Sequence, residues 1–158
     1  MLRIEGVTRR FGNFTAVRDL NLHAKAGEIF GFLGPNGAGK TTTMKMIVGL
    51  LKPTSGRIVV DGIDTSNHPL EAKRRIGYVP DRPNLPERLT ALEYLYFVGG
   101  LYGIDRKTAA PRSLELLHQF GLGHKINHLI EGFSHGMKQR LVMASVLLHQ
   151  PRLLIVDE

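Results

Sequence analysis

The chain has 158 residues with a net charge of +7; 42% are hydrophobic, 22% are charged and none is cysteine. That length suits one domain that hides roughly 70% of its unfolded surface, while the lack of cysteine excludes disulfides and cysteine-held metal and fits a reducing compartment. No stretch nears the ~18 uninterrupted apolar residues of a membrane span, and the clusters Arg9-Arg10, Lys73-Arg74-Arg75 and Arg106-Lys107 stay below the ~5 like charges of an interaction tail. Direct membrane insertion is therefore not expected. The basic charge reads as scattered and solvated, with no nucleic-acid partner expected.

The first elements in chain order are strands. Leu2 to Val7 alternates apolar and polar residues, and Phe14 to Leu22 does the same before a turn at Lys25-Ala26-Gly27. Glu28 to Leu33 is mostly apolar and predicts a buried central strand. A glycine-rich loop follows, then a helix from about Lys40 to Leu51 with Met44, Ile47, Val48 and Leu51 on its apolar face. Pro53 to Gly56 is a turn, Arg57 to Val60 a strand closed by Asp61-Gly62, and Pro69 to Arg75 a short helix opened by proline. Ile76 to Val79 is another buried strand. Strand signals then stop. Thr90 with Glu93 forms a capping-box pattern opening a helix to about Tyr102. Leu114, Leu117 and Phe120 mark a second helix stopped by Gly121, with Pro111 expected in its first turn. Gly136 to His149 is a third helix, and Leu153 to Val156 a last apolar strand, expected to be central and parallel.

Five segments carry chemistry. Gly34-Pro35-Asn36-Gly37-Ala38-Gly39-Lys40-Thr41 matches the phosphate-loop pattern G-x-x-x-x-G-K-[ST]. Glycines let the backbone wrap an anion and turn N–H groups inward, and the following helix directs its positive end there. Lys40 adds a cation for the β- and γ-phosphates, and Thr41 a hydroxyl for Mg²⁺. Leu153 to Val156 ends in Asp157 and Glu158, where one carboxylate can support a metal and the next can orient or deprotonate water. Phe133-Ser134-His135-Gly136-Met137 opens a helix, so Ser134 is either a plain N-cap or part of an anion site. Asp81 ends the Ile76 to Pro80 segment and, alone, reads more often as a structural turn residue than as a functional one. Phe11 before Gly12 is either packed or a stacking surface for a base.

Together these residues resemble the nucleotide-binding domain of an ATP-binding cassette (ABC) transporter, and the resemblance covers the whole chain. Gly34 to Thr41 reads as the family's GPNGAGKT loop. Phe133 to Met137 resembles its LSGGQ signature, continued by Lys138-Gln139-Arg140. The resemblance implies an α/β fold: a P-loop NTPase core with an antiparallel β subdomain and an inserted helical subdomain. Its parts would be 1–89 (β subdomain and P-loop core), 90–150 (helical, signature-bearing) and 151–158 (Walker B strand). ATP would be held by Phe11, Gly34, Pro35, Asn36, Gly37, Ala38, Gly39, Lys40, Thr41 and Thr42, and by Ser134 and Gly136 reaching ATP on an opposite subunit. Thr41, Asp81 and Asp157 would serve Mg²⁺. Glu158 would be the general base, with Asp81 a second catalytic carboxylate. Implied partners are a second ATP-binding subunit, identical or not, and a transmembrane permease that keeps the protein on the cytoplasmic face of the inner membrane.

Three departures qualify the resemblance. Asp81 stands where glutamine is usual. His135 and Met137 replace a glycine and the glutamine of the signature, and these variants together with Asp81 resemble a branch of bacterial exporter-type ATPases. The family's D-loop, switch histidine and last strands do not occur before Glu158. The chain is thus expected to be part of a protein of about 230 to 300 residues, weak in hydrolysis by itself. The alternatives are a non-transport member of the superfamily (translation factor or DNA-repair type) and another P-loop kinase or GTPase.

Overall fold

Leu2, Ile4 and Val7 are buried in the first strand, β1 (Leu2–Phe11), although Val7 breaks the two-residue alternation. A register shift between Ile4 and Val7 accounts for this. Gly6 sits in that bulge at φ 59°, and the extra residue returns Val7 to the inner face. A computed structural model describes residues 1–157. It divides them into two units, Met1–Ile76 with Arg152–Asp157, and Gly77–Pro151.

In the first unit, β1 turns at Gly12-Asn13 and pairs with β2 (Phe14–Ala24), from Leu2 opposite Ala24 to Phe11 opposite Phe14 with register shifts between. β3 (Ser55–Val60) joins the other edge of β1, with Ile4 opposite Ile58. β4 (Ile63–Asp64) folds back on β3 across Asp61-Gly62, both at positive φ, as a tight hairpin requires. The antiparallel order is β2-β1-β3-β4. Sequence patterning missed β4, because two residues show no periodicity.

α1 (Lys40–Ile47) packs on β2 and β3 and buries Thr43, Met46 and Ile47. It stops four residues before the expected Leu51. Gly49 at φ 71° donates to Met46 O at 3.2 Å and Leu50 N to Lys45 O at 2.9 Å, a Schellman end that closes the helix there. α2 spans Pro69–Arg75, as expected, with proline in its first turn. β5 (Ile76–Val79) and β6 (Leu153–Val156) belong to a separate two-stranded sheet, and Arg152 N donates to Arg75 O at 2.8 Å.

Two strand expectations need correction. Glu28 to Leu33 is not a strand, and Ile29 and Leu33 are 100% and 94% exposed. Apolar character buries a strand only when neighbours pair with its edges and helices cover its faces; among the described residues no strand pairs with this segment. β6 forms at the expected residues, yet Leu154 and Val156 are exposed while Ile155 is buried. Among the described residues it has one neighbouring strand, rather than the two of a central position.

The second unit is a helical block. α3 (Ala91–Leu101), α4 (Arg106–Gln119) and α5 (His135–Leu148) pack on one another around Leu95, Leu117, Leu122, Ile130, Leu141 and Leu148. The capping box at α3 is complete: Thr90 Oγ1 accepts from Glu93 N at 3.2 Å, and Glu93 Oε2 accepts from Thr90 N at 2.8 Å. Gly121, at φ 68°, ends α4 as expected. Pro111 does not lie in the first turn of α4. Asp105 caps the helix by accepting from Thr108 N at 3.0 Å and Thr108 Oγ1 at 2.8 Å. That cap sets the start at Arg106 and leaves Pro111 in the second turn, where its missing N–H removes one helical bond.

Candidate functional site

Nothing in the loop Gly34 to Gly39 caps α1 with a side chain. Gly39 occupies the N-cap in the left-handed region, at φ 82° and ψ 10°, and the first turn holds no acidic residue. An acid there would ordinarily offset the positive end of the helix. Its absence leaves the first-turn N–H groups for an anion from outside. Gly39 is also required by space. A Cβ there would stand 2.6 Å from Ala16 O and 2.9 Å from Val17 Cγ2, so the loop lies directly on β2.

The loop closes on its own cation. Lys40 Nζ donates to Gly34 O at 2.6 Å and Pro35 O at 3.0 Å, while Ala38 N donates to Pro35 O at 3.1 Å. Asn36 and Gly37 form the exposed tip. Thr41 is exposed, Thr42 is half-buried, and Thr43 turns into the core. Phe11, in the same unit, ends β1 and is 45% exposed. Asp157 follows β6 and is half-buried. Glu158, expected to be the base, lies outside the described residues.

Asp81, Ser134 and Gly136 belong to the second unit. Asp81 occupies an exposed turn, with Arg82 Nε at 3.8 Å as a loose ion pair. Ser134 Oγ accepts from Met137 N at 3.3 Å and so serves as the N-cap of α5. The cap does not remove the anion reading, because Ser134, His135 and Gly136 are all exposed and the first turn carries no acid. Buried Phe133 anchors the turn from beneath. Ile130 N donates to Leu89 O at 2.9 Å, and Lys138 Nζ meets Glu87 Oε1 at 2.6 Å, tying this segment to the start of α3.

The ABC transporter family model matches residues 17–158. The chain belongs to that family. It is 44% identical over 158 residues to the bacitracin transport ATP-binding protein BcrA of Bacillus licheniformis, covering all of this chain and 51% of that protein. To the ABC transporter ATP-binding protein NatA of Bacillus subtilis it is 41% identical, covering 66% of that protein. The chain thus spans about half to two thirds of the length of these curated relatives. Among solved structures, an ATP-binding subunit of an ABC transporter superposes with a TM-score of 0.92 at 32% identity, covering 99% of this chain and 65% of that one. A dimeric post-hydrolysis state of the ATP-binding cassette MJ0796, bound to ADP and Pi, superposes at 0.86 with 31% identity, covering 100% and 74%.

Within this ABC domain, sequence reasoning passed over Arg9 except as part of a basic pair. Its guanidinium lies 4.5 Å from the Phe11 ring centroid and donates to Lys52 O at 2.8 Å. A cation two residues before an aromatic on one strand shares its face, and that spacing was the available signal. For a metal, no cluster of three His, Cys, Asp or Glu forms among the described residues. The assigned donors are a hydroxyl and carboxylates. That hard-oxygen set fits Mg²⁺, which takes few protein ligands and relies on nucleotide phosphates.

Proposed function

We propose that this chain binds ATP at Gly34 to Thr42 and belongs to the ATP-hydrolysing subunit of a bacterial exporter-type ABC transporter, energising a separate membrane permease. The observation that carries this reading is the uncapped, acid-free start of α1 with Lys40 folded into the loop beside it. The names of the relatives support export: besides the bacitracin protein, a linearmycin resistance ATP-binding protein of Bacillus subtilis is 43% identical over 158 residues.

Each residue then has a task. The first-turn N–H groups of α1 and Lys40 Nζ bind phosphate oxygens, and Phe11 stacks on adenine. Thr41, Asp157 and Asp81 would hold Mg²⁺, which when bound neutralises charge developing on the phosphates. Glu158 takes a proton from the attacking water. Ser134 and Gly136, at the exposed start of α5, contact the γ-phosphate on a second subunit, a reading supported by the dimeric form of the ADP-bound relative. Residues 1–89 and 151–158 make the ATP core and Walker B strand. Residues 90–150 make the helical part that docks on the permease and keeps the protein at the inner membrane's cytoplasmic face. No helix among the described residues is long and apolar enough to cross a membrane.

Calorimetric titration of Lys40→Ala with Mg·ATP tests the core of this reading. Loss of a charge-assisted phosphate contact weakens binding by about 10- to 150-fold. Wild-type affinity in that variant would remove the loop from its role.

A further inference from the structure

A phenylalanine at a strand tip ordinarily samples more than one rotamer. Phe11 is held. The Arg9 guanidinium lies 4.5 Å from its ring centroid, and the same group donates through Nη1 to Lys52 O at 2.8 Å. Arg9 Nε is enclosed and makes no hydrogen bond, so this head group lies against its neighbours and is not fully solvated. Lys52 follows the end of α1, in a turn that two more bonds join to β1. Thr54 N donates to Thr8 O at 2.8 Å, and Arg10 N to Thr54 Oγ1 at 3.0 Å.

We propose that Arg9 is the positioning residue for the nucleotide base, fixing the Phe11 ring so that the face turned away from the guanidinium presents a stacking surface. The inference rests on the assignment of Phe11 to the base. The guanidinium occupies one ring face through a cation–π contact, and the bond to Lys52 O fixes the guanidinium in turn. Because α1 carries the phosphate loop at one end and the Lys52–Thr54 turn follows the other, Arg9 links the base platform to the phosphate-binding element. A pre-set ring spares the base the work of ordering it.

Affinities for Mg·ATP and for inorganic tripolyphosphate, measured by calorimetry on the 158-residue chain, test the proposal. Phe11→Ala weakens ATP and leaves tripolyphosphate unchanged. Arg9→Ala weakens ATP about three- to fivefold, the scale of a partly exposed cation–π contact, and also spares tripolyphosphate. Arg9→Lys, which keeps a cation over the ring, recovers part of the loss. Added to Phe11→Ala, Arg9→Ala has no further effect. The proposal is overturned if Arg9→Ala leaves ATP unchanged while Phe11→Ala weakens it. Tighter ATP binding in Arg9→Ala also overturns it, since the guanidinium would then fill the place of the base. Equal loss for both ligands would mark general damage to the fold and count against it as well. An unaltered ATP affinity in Phe11→Ala would instead refute the assignment of Phe11.

Discussion

Gly37 and Gly39 have nearly the same backbone conformation, φ 83° and φ 82°, but different surroundings. A Cβ at Gly37 meets nothing within 4 Å; one at Gly39 meets Ala16 O at 2.6 Å and Val17 Cγ2 at 2.9 Å. Alanine at either position incurs the left-handed penalty, about 1–2 kcal/mol. Alanine at Gly39 adds overpacking of about 1–3 kcal/mol, because the obstructing oxygen is strand backbone and cannot swing aside. Gly39→Ala should therefore cost roughly 2–5 kcal/mol in total. For a domain of this size each kcal/mol lowers Tm by about 2–4 °C, so Gly39→Ala falls about 4–20 °C and Gly37→Ala about 2–8 °C. Thermal melts followed by circular dichroism, with urea midpoints as a second measure, give both values. The difference between the two variants isolates the close approach of the loop to β2. Equal losses would refute that approach.

Two further outcomes follow from the helix caps of the second unit. The Glu93 carboxyl is held below its ordinary value of 4.5, first by the Thr90 backbone N–H and then by the Thr90 hydroxyl. A lowered folded-state value stabilises the fold at pH above the unfolded value, and that stability is lost as pH falls through the folded value. Urea midpoints of wild type and Glu93→Gln should therefore converge between about pH 6 and pH 3; a constant gap would rule out this linkage. Ser134→Ala removes the cap of α5 and should cost about 0.5–2 kcal/mol, whereas Ser134→Asp keeps a capping oxygen and with it the stability. The same aspartate sets a negative charge where a phosphate is proposed to bind. ATP-dependent dimerisation, measured by light scattering, should therefore be lost in Ser134→Asp; dimerisation at the wild-type level would remove Ser134 from the phosphate contact.

Local chemistry made much of the fold legible. The proline start of α2, the Thr90–Glu93 box and the stop at Gly121 are each decided by groups within a few residues, and each formed where its pattern placed it. Legibility failed where structure depends on distant partners. The apolar run Glu28 to Leu33 carries no mark of whether a neighbour will pair with it. Ile4 and Val7 become consistent only once the bulge in β1 is known. The motif from Gly34 to Thr41 is visible in the sequence because it is contiguous: one stretch supplies the glycines, the lysine and the helix start. The contact of Arg9 is not, because Lys52 lies 43 residues away.

The bonds of Lys40 bear on how the loop works. With Nζ donating to Gly34 O and Pro35 O, the ammonium is satisfied by the turn it would otherwise hold open. Both acceptors are neutral carbonyls, and a phosphate oxygen is a charged one, roughly twice as strong. An incoming nucleotide can therefore replace these bonds at a net gain, while the carbonyls left behind lie on the exposed loop and pass to water. In the proposed function Lys40 exchanges two loop carbonyls for phosphate oxygens. Ordering that loop only when the nucleotide arrives would cost about 1–2 kcal/mol per residue fixed. Binding releases the Lys40 bonds but leaves Ala38 N on Pro35 O and the packing of Gly39 on β2, so part of that cost is avoided and more of the phosphate interaction remains as affinity.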